Sequence, residues 1–154
     1  MDFTTLKLER KDLQLAKDLF MLFDKIFLEE GQSFTTLPND NYLNRLLAQT
    51  SFHVFVALSD GKVIGGLTAY ELTMYMKREK EMYLHDLGVS EDFRRKGVAS
   101  KLIQELKKYA SDNNISTIFV EANEEDAGAV EFYKSLGAEM ENVKHFNISS
   151  KDLV

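Results

Sequence analysis

The sequence predicts a mixed α/β domain, an α+β arrangement in which helices cover one mixed sheet. Three observations carry that reading. Apolar residues recur at helical spacing in some segments and alternate, or run unbroken, in others. The first half contains a hairpin, "FHVFVALSDGKVIGGLTAYELTMY", and so antiparallel strands. The second half alternates strand and helix, with a βαβ unit over 82–122. With one proline, eight glycines and no linker-like or repeated stretch, a single domain over 1–154 is expected.

Each element has its own signal. "FTTLKL" (3–8) alternates well enough for a strand. Asp12 is placed to cap a helix whose apolar positions Leu15, Leu19, Leu22, Phe23, Ile26 and Phe27 share one face. "EEGQSFTTLPND" (29–40) reads as a loop, and "NYLNRLLAQ" (41–49) as a short helix capped by Asp40 or Asn41. Asp60-Gly61 supplies the positive φ angles of a tight hairpin turn. "MYLHDLGV" (82–89) is the next strand. A helix over 97–112 buries Val98, Leu102, Ile103, Leu106 and Ala110. "STIFVEA" (116–122) is a buried strand. "AGAVEFYKSLG" (127–137) is a helix with Gly137 at its C-terminal stop. "VKHFNIS" (143–149) alternates as a last strand.

Composition removes several classes of function. There is no cysteine, so disulfides, thiol nucleophiles and thiolate metal sites are excluded, and no metal site is indicated. The N-terminus lacks a signal-peptide layout, and no apolar run approaches the roughly eighteen residues of a membrane span. A cytoplasmic protein with no membrane partner is expected. The net charge of −6 argues against nucleic acid and favours a cationic partner.

Against that acidic background, "SEDFRRKGVAS" (90–100) gathers Arg94, Arg95, Lys96 and Gly97 where a strand hands over to a helix. The first turn of a helix leaves backbone N–H groups unpaired, and the helix dipole adds partial positive charge. Glycine lets an anion approach the backbone, and the cations add full charge. The stretch therefore suits phosphate oxygens; a solvated basic turn, with Gly97 serving chain geometry, explains it equally well. Neither G-x-x-x-x-G-K-[ST] nor G-x-G-x-x-G occurs.

Arg94-x-x-Gly97-x-Ala99 resembles the Q/R-x-x-G-x-G/A signature of the GCN5-related N-acetyltransferases (GNAT). "AVEFYKSLGAE" (129–139) resembles that family's second hallmark, a tyrosine-bearing helix ending in leucine-glycine. Nearly the whole chain, from "LFDKIF" to "FYKSLGAEMENVKHFNI", is similar to the type I aminoglycoside 3-N-acetyltransferases. It departs from the family pattern at Asp126, where an asparagine is usual. It also departs in the acidic "NEEDAG" (123–128), where a glycine replaces a proline.

The resemblance implies acetyl-CoA as coenzyme. Its pyrophosphate would be held by Arg94, Arg95, Lys96 and Gly97 with the first-turn residues Val98, Ala99 and Ser100. Its arm would lie along Leu87, Gly88 and Val89, with Asp126 and Tyr133 also in contact. The resemblance further implies an aminoglycoside acceptor, a resistance-type activity and a homodimer.

Acetyl transfer to an amine requires a deprotonated nucleophile, donors for the developing oxyanion and a proton for the departing thiolate. Tyrosine is ordinarily protonated at neutral pH; the resemblance places Tyr133 beside the thioester sulfur as the acid, whereas a half-buried core tyrosine is the plainer reading. A backbone N–H in "DLGV" (86–89) suits the oxyanion, and Gly88 suggests a bulge or close approach. Asp86, a carboxylate in an otherwise apolar strand, is the candidate base, directly or through a water. Alternation puts His85 on the opposite face. His53 and His145 read as structural.

Glu71, Asp86, Glu124, Glu125 and Asp126 are the candidate acids for a polycationic acceptor, with Glu29 and Glu30 able to join them. Each is equally an ordinary surface acid. Another amine (a polyamine, an amino sugar or a protein amine) and a non-catalytic acyl-CoA-binding module are the competing functions.

Overall fold

The computed structural model describes residues 2–28 and 37–152. The expected loop over 29–40 falls largely outside them, as do Glu29 and Glu30. The chain forms two compact units, Met1–Glu121 and Ala122–Val154.

The first unit holds a five-stranded mixed sheet in the order β1-β2-β3-β4-β5. The strands are β1 (Thr4–Lys7), β2 (Phe52–Ser59), β3 (Lys62–Thr73), β4 (Lys80–Val89) and β5 (Ile115–Val120). The first four pair antiparallel, and β4 pairs β5 in parallel through the helix between them. Asp60 and Gly61 close the β2–β3 hairpin at φ +49° and +74°, as a turn matched to strand twist requires.

Helix α1 (Leu13–Phe27) buries Ala16, Leu19 and Phe23, the three- and four-residue spacing of one helical face. They join Leu8, Phe52, Val54 and Val56 in one core. Each fully buried leucine here, such as Leu19, contributes about 2 kcal/mol by leaving water. Asp12 stands at the N-cap position of α1, but its side chain makes no capping bond there; its carboxylate accepts the Glu9 N–H at 2.8 Å and closes a 3-10 turn instead. Helix α2 (Asp40–Leu47) is capped by Asn39, whose Oδ1 accepts the Tyr42 N–H at 3.0 Å.

Helix α3 (Val98–Asp112) buries Val98, Leu102, Ile103, Leu106 and Ala110, the five expected residues. Its Tyr109 ring meets His53 and Phe55 of β2. Val54 and Val56, one step out of phase, belong to the α1 core. Strand alternation thus puts α1 and α3 on opposite faces of the sheet.

The second unit carries α4 (Ala127–Ser135). Gly137, at φ +78°, ends it: Gly137 N–H donates to Lys134 O and Ala138 N–H to Tyr133 O, the paired bonds of a Schellman stop. The expected strand over 143–149 is absent: the segment is irregular, and Val143, Phe146 and Ile148 are exposed. Alternation supplies a strand's pattern but not the neighbouring edge it must hydrogen-bond.

Candidate active site

Strand β4 organises the first unit's chemistry. Strand β5 stops at Val120 opposite Leu84, while β4 runs on to Val89 still paired with β3. From His85 to Val89, about 16 Å of strand, the backbone groups turned away from β3 have no partner in β5. Val89 O is met at 3.2 Å by Arg94 Nε. Gly88, paired with Gly66, turns its groups to β3, while Leu87, two residues before Val89, turns its donor and acceptor to this edge, which suits an extended ligand.

Gly88 lies in regular pairing with Gly66, not in a bulge. A Cβ there would come within 3.1–3.2 Å of Phe23, Ile26 and Phe27, so the glycine lets α1 lie against the strand. The bulge falls earlier. Thr68 pairs Asp86 and Ala69 pairs Leu84, leaving His85 as the extra residue. A bulge breaks the two-residue alternation. The expectation that His85 and Asp86 face apart is therefore wrong: His85 Nδ1 lies 2.8 Å from Asp86 Oδ2. Thr68 Oγ1 donates to the same oxygen at 3.3 Å.

Aromatic rings gather on this side of the sheet. Tyr70 and Tyr83 meet the His85 ring edge-on at 5.9 and 5.5 Å, and Tyr70 also packs on Phe52. Burial, with Asp86 and Tyr42 adding to it, pushes the Tyr70 hydroxyl above its ordinary pKa of 10. Burial, then Glu121 and Asp86, does the same at Tyr83. Both stay protonated and can donate.

Beyond Val89 comes the cationic turn. Arg94, Arg95, Lys96 and Gly97 are exposed, and Val98 is buried. Arg95 and Gly97 take left-handed φ angles of +60° and +82°. Lys96 Nζ donates to Asp92 O at 2.7 Å. Gly97 caps α3 without a side-chain bond, and the first intrahelical bond is Lys101 N–H to Gly97 O. The N–H groups of Val98, Ala99 and Ser100 precede it and so have no partner within the helix. Nothing stands within 4 Å of where a Gly97 Cβ would be. Open backbone, three cations and a helix N-terminus fit the diphosphate of a coenzyme.

Glu71 does not fit the acceptor role expected of it. Its side chain is 8% exposed, on the α3 face. Oε1 accepts from His53 Nε2 at 2.8 Å and Tyr109 OH at 2.9 Å, and Oε2 accepts from Lys80 Nζ at 2.7 Å. Burial alone would raise its pKa, but the bonds from Lys80, Tyr109 and His53 together hold it below the ordinary carboxylate value. The carboxylate is already satisfied inside the protein. A hollow lined by Thr73 to Lys80 and Asn114 opens at the start of β4, the end away from Val89.

In the second unit, Glu124 and Glu125 are exposed in the turn before α4. Asp126 Oδ1 accepts the Ala129 N–H at 2.9 Å and so caps α4. Burial, with Asp126 nearby, pushes the Tyr133 hydroxyl up to about 12, so it holds its proton. Among the described residues no cluster of three or more histidines and acids is arranged for a metal. No helix of the described residues is long and apolar enough to cross a membrane.

Comparison with known proteins bears on the family and the fold. An aminoglycoside acetyltransferase, HMB0005, from an uncultured soil metagenomic sample is 33% identical, with a TM-score of 0.91 over 97% of this chain and 99% of that one. Another, meta-AAC0020, solved in complex with sisomicin, is 31% identical, with a TM-score of 0.90 over 96% and 95% of the two chains. Human N-acetyltransferase 8B is 28% identical over 61% of this chain and 41% of its own length, so this chain spans less than half of that curated relative. Residues 17–138 match the model of the Acetyltransferase (GNAT) family. The fold, a mixed sheet flanked by helices, is that of the same family, whose coenzyme is acetyl-CoA, and the chain belongs to the GNAT acetyltransferases.

Proposed function

We propose that this chain is one acetyltransferase domain that moves an acetyl group from acetyl-CoA to an amine of an aminoglycoside, at the 3-amino position. The observation that carries the transfer reading is the free run of β4. It starts at His85 and Asp86, under the tyrosines, and ends at the cationic turn. A carboxylate and the cationic turn thus stand at opposite ends of one strand edge, which supports this reading. The similarity to two aminoglycoside acetyltransferases over nearly the full length of both chains supports the acceptor class.

When bound, the coenzyme supplies an activated acyl group. The N–H groups of Val98, Ala99 and Ser100, with Arg94, Arg95 and Lys96, hold its phosphates. The edge carried by Leu87 and Val89, with Gly88 between them free of a side chain, aligns its arm and offers backbone donors to a developing oxyanion. The carboxylate of Asp86 draws an ammonium group towards β4, and Glu124 and Glu125 add negative charge for a polycation. Tyr133, kept protonated, is suited to supply the proton a thiolate needs on leaving. Glu71 is left out of this scheme, because its oxygens already have partners.

The test is acetyl-CoA-dependent thiol release with gentamicin, kanamycin, spermidine and a peptide amine in parallel, followed by mapping of the acetylated nitrogen. Release with gentamicin and acetylation at the 3-amino group is the expected result. Release with spermidine or the peptide alone would replace the acceptor and keep the reaction. A homodimer in the cytoplasm, conferring resistance, completes the reading; sedimentation and drug-susceptibility measurements on a host expressing the chain check those points.

A further inference from the structure

We propose that His85 is the proton acceptor for the incoming amine, with Asp86 as the residue that positions it. This rests on the acetyl-transfer reading above.

The argument begins with the bulge. It turns two consecutive side chains towards each other and brings His85 Nδ1 to 2.8 Å from Asp86 Oδ2. An ionised carboxylate only accepts hydrogen bonds, so the hydrogen lies on Nδ1. A neutral ring with its hydrogen on Nδ1 keeps a lone pair on Nε2. Among the described residues that nitrogen has no hydrogen-bond partner, and it is the basic atom of the pair. Asp86 Oδ2 is occupied twice, by His85 and by the Thr68 hydroxyl at 3.3 Å.

The ring is also placed to meet a ligand. Its side chain is 50% exposed, against 35% for Asp86, so it stands further towards solvent. Tyr70 of β3 and Tyr83 of β4 hold it edge-on at interplanar angles of 73° and 78°. It sits one residue past Leu84, the last β4 residue paired with β5. Among the described residues of the first unit, the titratable groups facing it are Asp86 and Tyr83 on its own strand and Tyr70 on β3. Tyr42 of α2 acts on Tyr70, and Glu121 on Tyr83.

The chemistry is a single proton transfer. An acceptor ammonium has no lone pair. One of its N–H bonds breaks, the electron pair stays on the amine nitrogen, and a new N–H bond forms at His85 Nε2. The imidazolium so formed lies against the Asp86 carboxylate, which stabilises it. It returns the proton to solvent after each turnover. An imidazole nitrogen can take up a proton from one partner and pass it to another, which is what a general base must do.

The test compares His85→Gln and Asp86→Asn with the wild type, using the amine the wild type acetylates. His85→Gln is expected to lower kcat/KM near neutral pH by about 100-fold, to leave acetyl-CoA affinity by calorimetry unchanged, and to abolish the fall in rate on the acid side. Asp86→Asn is expected to keep that acid limb and move it to lower pH, because the imidazolium loses its carboxylate. An acid limb kept in His85→Gln and lost in Asp86→Asn would overturn the proposal and make Asp86 the base. Ring nitrogen NMR on the protein alone gives a readout apart from turnover. The Nδ1–H tautomer is expected in the wild type, and its loss in Asp86→Ala, which has no acceptor there; an Nε2–H tautomer in the wild type would overturn the proposal. If the wild type acetylates no amine, the transfer reading fails first and this proposal with it. An active wild type with an unchanged His85→Gln profile would sink this proposal alone.

Discussion

His53 and Glu71, from adjacent antiparallel strands, share a hydrogen bond of 2.8 Å with side chains only 4% and 8% exposed. Glu71 is a carboxylate here, so His53 Nε2 donates. Burial lowers the His53 pKa below 6.5, outweighing the pull of Glu71 in the other direction. The pair is therefore neutral imidazole and carboxylate, with Lys80 supplying the positive charge. His53 Nδ1 is buried without a partner among the described residues, which makes charging the ring costlier still.

Stability should fall with acid in two stages. Below about pH 6.5 the unfolded chain binds a proton at His53 that the folded chain does not. Below about pH 4.5 the same holds at Glu71, whose folded pKa is also depressed. Both groups favour unfolding as pH falls, and neither loses stability as pH rises through neutrality. His53→Gln keeps a donor towards Glu71 and removes the first stage. Thermal melts from pH 7 to 5 should show a flatter dependence in that variant; equal slopes would remove His53 as the source.

Glu71→Ala should destabilise by about 3 kcal/mol, since it leaves His53, Tyr109 and Lys80 without their shared acceptor in a part-buried site. Denaturant unfolding measures this. The KM for the acceptor amine should not change. A large rise in KM with stability intact would return Glu71 to the acceptor site.

Gly97→Glu should abolish acetyl-CoA binding by setting bulk and negative charge at the helix start. Gly97 faces open space, so the fold has no clash to absorb. The left-handed φ of +82° costs a non-glycine residue about 1 kcal/mol. Calorimetry with acetyl-CoA, beside a melting curve, separates the two effects. Unchanged affinity would end the phosphate assignment.

Tyr133→Phe should lower kcat by about 100-fold and leave acetyl-CoA affinity unchanged, because the ring stays and only the proton donor goes. Wild-type turnover in that variant would exclude the hydroxyl as the acid.

The helices, the hairpin and the strand-to-helix turn were legible in the sequence because their causes are local. Helical period marked Val98, Leu102, Ile103, Leu106 and Ala110, all of them buried in α3. Asp60-Gly61 marked the hairpin, and Gly137 the end of α4. The cations beside Gly97 were legible as a cluster at a helix start, where the helix adds its own partial positive charge wherever it occurs.

What the tertiary structure alone decided depends on partners distant in the chain. The alternating segment 143–149 had the pattern of a strand and forms none. Glu71 looked like a surface acid and is enclosed by His53 and Tyr109, which are 18 and 38 residues away. Whether His85 and Asp86 face apart or together turns on where β4 slips against β3, between Thr68 and Ala69. A bulge is a mismatch between two strands, and no period within one of them records it. The identity of the residues was written in the sequence; which atoms they present to one another was settled by pairing across the sheet.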